Sequence, residues 1–119
     1  MSYGDGIKNA LIESTMLGWE DHGILTAYVT LNYGGSGQAF GGWALDNPVK
    51  DASDKFIGRF GTAEGMQFVE RTMKAIGATS WEKLKGLHCR VEVIDGRIAR
   101  IGHIIRDDWF EPAKLFEKL

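Results

Sequence analysis

Arg90, Arg97, Arg100 and Arg106 stand on or beside one stretch of the chain, "LHCRVEVIDGRIARIGHII", and Trp109 and Phe110 follow it. A guanidinium offers a planar fork of donors that grips phosphate bidentately, and a flat aromatic ring stacks on a base. Together they have the means to hold a nucleotide. The same residues also fit a plainer role, a sheet whose solvent face alternates Arg with Glu while Trp109 and Phe110 enter the core. Residues 55–61, "KFIGRFG", add Lys55, Arg59 and two phenylalanines in a segment able to close over a ligand.

A second grouping is "NYGGSGQAFGGW", residues 32–43, with five glycines between Gly34 and Gly42. A phosphate-cradling loop needs a Gly-rich turn that ends in Lys and Ser or Thr and opens a helix. No Lys follows here, and the next segment reads as strand. The dinucleotide fingerprint fails as well, because Phe40 stands where its third glycine belongs. Gly34, Gly35 and Gly37 therefore read as a hairpin turn, for which glycine supplies positive φ. Gly41 and Gly42 lie inside a strand, where glycine marks a bulge or the close approach of another group. The candidate pocket joins the two groupings. Arg90, Arg100 and Arg106 would grip phosphate, and Trp109, Phe40 and Trp43 would stack on a base beside Gly41 and Gly42.

Metal and acid–base chemistry find less support. His88 and His103 fall opposite each other in the hairpin register given below, as two ligands of a transition metal would, with His22 or a carboxylate as a distant third. Asp21 with His22, and Asp107 with Asp108, place acids near candidate bases, yet adjacency in sequence is not the geometry that acid–base catalysis needs. No G-x-S-x-G or H-E-x-x-H motif occurs. The residues favour a binder over an enzyme, with no cofactor implied.

The 119 residues are 44% hydrophobic, enough for one core without disulfide or metal. The lone Cys89 fits a reducing compartment. Neither a signal peptide nor a membrane-length apolar run can be read, so the expected location is the cytoplasm. A net charge of −2 argues against general nucleic-acid binding, which wants a positive excess.

The elements that must position these residues follow from periodicity. Residues 7–19 and 24–33 read as strands joined by "EDHG", and Leu25, Ala27, Val29, Leu31 and Tyr33 alternate onto one face. Residues 38–46 supply a third strand. Residues 46–61 show no sustained period and read as a long connection. Thr62 caps a helix that Gly77 stops, with Met66, Val69, Met73 and Ile76 as its apolar stripe. Residues 80–86 suggest a short helical turn. Asp95 and Gly96 set a two-residue hairpin in which Val93 pairs with Ile98, Val91 with Arg100, Cys89 with Gly102 and His88 with His103. Pro112 opens a last helix that packs Leu115, Phe116 and Leu119. The sum is an α+β domain over residues 1–119: an antiparallel meander of about three strands, one main helix, a DG β-hairpin and a short C-terminal helix. Its exposed sheet edges invite homo-oligomerisation.

Taken as units, "LIESTMLGWEDHGILTAYVTLNYGGSGQAFGGWALD", "WEKLKGLHCRVEV" and "IGHIIRDDWFEP" resemble small proteins encoded by phages and prophages. The resemblance implies an intracellular protein acting in the host cytoplasm during infection. It suggests a non-enzymatic binder that counters a host defence, by sequestering a nucleotide-like signal or by masking a defence protein. A nucleic-acid accessory protein of recombination or replication is one alternative. A small metal-dependent enzyme using His22, His88 and His103 is the other.

Overall fold

The structure, a computed structural model, describes residues 4–117. In chain order it comprises β1 (Gly6–Trp19), β2 (Leu25–Tyr33), β3 (Ser36–Ala44), β4 (Asp46–Lys50), β5 (Phe56–Gly61) and α1 (Ala63–Ile76). Then come β6 (His88–Ile94), β7 (Arg97–Gly102), β8 (Trp109–Phe110) and α2 (Pro112–Phe116). Strand takes 51% of it and helix 21%, so the α+β expectation is corrected to a mostly β fold. The expected meander is the outer half of one six-stranded sheet in the order β3-β2-β1-β6-β7-β8. β6 pairs antiparallel with β1 from Gly6↔Val93 to Leu11↔His88. β1 pairs with β2 from Leu11 onward, and its first half is held instead by a hairpin some eighty residues away, a pairing that local periodicity does not show.

Two turns place both central residues at positive φ, as the twist of a hairpin demands: Gly34 and Gly35 at 62° and 83°, and Asp95 and Gly96 at 53° and 77°. Gly37, expected in the first turn, already belongs to β3. The DG hairpin keeps the expected register only as far as Val93↔Ile98. Ala99 is then an extra residue, and the pairs become Glu92↔Arg100, Val91↔Ile101 and Arg90↔Gly102. The bulge sets an acid opposite a base and buries Val91 against Ile101, where the unbroken register would have buried Val91 against an arginine. His88 and His103 are therefore not opposite each other.

Residues 46–61 are not a plain connection but the β4–β5 hairpin. Pro48, Gly58 and charged residues hide its alternation in the sequence, and a largely buried ion pair holds it. Arg59 Nη2 lies 2.8 Å from Asp46 Oδ1, and the Leu25 N–H donates to Asp46 Oδ2 at 3.2 Å. The Arg59 guanidinium holds the Asp46 carboxyl below its ordinary value although burial opposes this.

α1 begins as expected. Thr62 Oγ1 accepts from the Gly65 N–H at 2.9 Å, and Gly77, at φ 93°, ends the helix with bonds from the Gly77 and Ala78 N–H groups to the Met73 carbonyl. Its buried stripe is Gly65, Phe68, Thr72, Ala75 and Ile76, and Met66 is exposed. The stripe shares Ile76 with the expected one and is otherwise turned by one residue, leaving Val69 and Met73 half-buried against the core, because Gly65 packs directly on Leu45, where a Cβ would come 2.7 Å from the Leu45 Cα. Phe68 is the hub of the core. Its ring stacks on Phe40 at 6.1 Å and meets Phe110 and Phe116 at 5.8 and 6.2 Å. Leu115 and Phe116 of α2 join this core as expected, while Leu119 lies outside the described residues.

The sheet curls until its two ends approach. Gln38 on β3 spans the gap: its Oε1 accepts from the Ile98 N–H at 2.7 Å, and its Nε2 donates to the Gly96 carbonyl at 3.0 Å. Beside it, Trp43 stacks on Phe116 at 4.8 Å and 11°. The seam between β3 and β7 is closed by side chains instead of a backbone ladder.

Candidate functional site

Arg90, Gly102 and Trp109 lie side by side across β6, β7 and β8, because Arg90 pairs with Gly102 and Gly102 with Trp109. The indole lies over Gly102: a Cβ there would stand 2.7 Å from its ring atoms. Arg100, two residues before Gly102 on β7, shares that face. The Arg100 and Arg90 guanidinium carbons sit 4.1 and 4.9 Å from the Trp109 ring centroid, so both cations are attracted to one π-system.

Each expected phosphate grip already has partners. Arg90 donates to the His103 and Arg106 carbonyls at 2.8 and 2.7 Å, stapling the loop that leaves β7. Arg100 Nε donates to Glu92 Oε1 at 2.7 Å, and Arg106 pairs with Asp108 at 2.9 Å. Trp109 Nε1 donates to Asp107 Oδ1 at 3.0 Å. His103 Nδ1 accepts from the Ile105 and Arg106 N–H groups, both at 3.0 Å, which commits this imidazole to the loop.

Two clefts flank this edge of the sheet. The larger, about 810 Å³, lies between the polar face of α1 and the segment running from residue 107 into α2. Glu64, Gln67, Arg71 and Lys74 line it from the helix, and Arg100, Trp109 and Lys114 face them. Three of its four acids are engaged: Asp107 by the indole, Asp108 by Arg106, and Glu111 by Lys114 at 3.8 Å, while Glu64 at the start of α1 has no such partner among the described residues. Among the described residues Arg71 and Lys74 form no ion pair. A smaller cleft of about 630 Å³ follows the β3–β7 seam and is lined by Gln38, Phe40, Gly41, Trp43, residues 96–99 and the start of α2.

The expected pocket is thus divided. Arg100 and Trp109 line the larger cleft, Phe40, Gly41 and Trp43 the smaller, and Glu111 borders both. Arg90, Arg106 and Gly42 line neither. Sequence reading missed Arg71 and Lys74, although with Glu64 and Gln67 they recur at spacings of three and four, the same rule that identifies an apolar stripe. The metal reading is not supported: among the described residues no three His, Cys, Asp or Glu side chains lie together as an ion would need. Nor is any helix there long and apolar enough to cross a membrane.

The site therefore belongs to a small, mostly β protein with a charged cleft at one end of a curled sheet. Models of protein families, curated proteins and solved structures contain no match to this chain, so its functional reading rests on geometry.

Proposed function

We propose that this protein is a non-enzymatic binding module that captures an anionic, nucleotide-like small molecule in the cleft between α1 and α2. The observation that carries the reading is the cation pair Arg71 and Lys74, one helical step apart, facing Arg100 across a cleft in which every acid but Glu64 already has a partner. A volume of about 810 Å³ lies in the range that small-molecule sites occupy. The phosphate would sit against α1 and the planar group near the Trp109 edge, with Arg90 and Arg100 holding the indole in place. In the phage setting that the sequence suggests, such capture removes a nucleotide signal of host defence. Masking of a defence protein is the second reading. Phe56, Ile57 and Phe60, all exposed on the β4–β5 hairpin, favour it.

Calorimetric titration with a panel of linear and cyclic nucleotides tests the proposal. At least one should bind, and the double variant Arg71→Ala with Lys74→Ala should weaken it at least tenfold, since a charge-assisted phosphate contact contributes about 1.5–3 kcal/mol. Absence of heat from every nucleotide, or unchanged affinity in the folded double variant, overturns it.

A further inference from the structure

β1 is longer than the strand beside it. It pairs with β2 as far as Trp19↔Leu25, but with β6 only as far as Leu11↔His88. Ile12 makes the last contacts on that side, accepting from the Gly86 N–H at 2.8 Å and donating to the Leu87 carbonyl at 2.9 Å. Beyond it, among the described residues, no hydrogen bond reaches residues 13–19 from the side away from β2. An extended backbone with one bare side is a template for another strand.

The other edges are blunted: the stretch of β1 before Leu11, which β2 does not pair with, carries Lys8, and β5 is broken by Gly58 at φ 134°. β3 is broken by Gly41 and Gly42 at φ 122° and 89°, and its Gln38 already occupies the neighbouring edge of β7. β8 has two residues and runs into Pro112, and β4 contains Pro48. Residues 14–19, "STMLGW", carry no charge and no proline. Natural edges that stay single place lysine or proline where these residues stand. On the face shared with Ala27 and Val29, Leu17 and Trp19 remain 47% and 73% exposed at the bare edge.

We propose that this edge pairs antiparallel with the same edge of a second copy of the chain. A two-fold axis perpendicular to the sheet makes such a contact self-complementary, because it keeps the core faces of both copies on one side. In the register centred on Leu17, that residue meets Leu17 of the partner subunit, Thr15 meets Trp19 of the partner subunit, and Met16 meets Gly18 of the partner subunit. An apolar side chain then meets an apolar or small one at every pair except the one with Thr15, whose methyl faces the indole. The result is one twelve-stranded sheet across two copies, and no charge is buried.

Sedimentation equilibrium of the full chain should give a two-copy mass that dissociates on dilution. Leu17→Lys should give the single-copy mass at every concentration, with the circular dichroism of the wild type. A wild type of single-copy mass throughout, or a dimer that survives Leu17→Lys, overturns the proposal. Hydrogen exchange of the wild type decides the matter even where the variant fails to fold. The amides of Thr15, Leu17 and Trp19, which face away from β2, should exchange at least tenfold more slowly in concentrated than in dilute solution, and equal rates refute the pairing.

Discussion

Gly41 and Gly42 are neighbours with opposite reasons for being glycine. At Gly41, φ is 122° and a Cβ would stand 2.5 Å from the Ala27 carbonyl oxygen, 2.9 Å from the Tyr28 Cα and 3.0 Å from the Phe68 ring. Backbone on one side and the core hub on the other leave no room for relaxation. Gly42, at φ 89°, meets nothing within 4 Å and is glycine only for its backbone, as part of the bulge that sets Gly42 and Trp43 opposite Ala27. Gly41→Ala should therefore cost about 3 kcal/mol or more, combining left-handed strain with overpacking, and lower Tm by roughly 10 °C. Gly42→Ala should cost only the strain, about 1 kcal/mol. Thermal unfolding followed by circular dichroism checks both, and equal losses would show that the close approach at Gly41 contributes nothing.

The hairpins, the helix caps and the inward face of β2 could all be read from residue types, because each depends on neighbours within a few positions. Asp95 with Gly96, Thr62 with Gly77, and the alternation from Leu25 to Tyr33 are of this kind. The pairing of β1 with β6 depends on residues far apart in the chain, and the bulge at Ala99 depends on what it places opposite Arg100. Neither leaves a local pattern. The candidate site divided for the same reason: Phe40 and Trp109 lie at opposite ends of the sheet order, and only curling brings them onto neighbouring clefts. That curl rests on Gln38, whose single carboxamide satisfies one donor and one acceptor of β7. Gln38→Ala leaves the Ile98 N–H, partly buried, without its acceptor, at about 1 kcal/mol. The expected signature is faster hydrogen exchange at Ile98 while the amides of β1 keep their rates. Unchanged exchange at Ile98 would mean that the seam stays shut without the latch.

Across the whole molecule, Cys89 offers a direct report on how the sheet opens. It lies on β6 opposite Ala10 of β1, fully buried near the middle of the strand order. Burial pushes its thiol from 9.0 up to about 12, since the thiolate has lost water and gained no cation. At pH 8 the reactive fraction thereby falls from about a tenth to about one in ten thousand, on top of the steric block. Labelling by a thiol reagent must then pass through an open state, and its rate follows the population of that state when closing outpaces reaction. The nucleotide proposed to bind between α1 and α2 would stabilise only the closed form, because Arg71 and Lys74 face Arg100 only when helix and sheet are docked. Labelling should slow by a factor of one plus the ligand concentration over Kd, about a hundredfold at a hundred times Kd. Rapid labelling of the native protein would show that β6 separates from β1 without global unfolding. Slow labelling that a bound ligand leaves unchanged would place the opening outside the unit formed by α1, α2 and the β7–β8 edge.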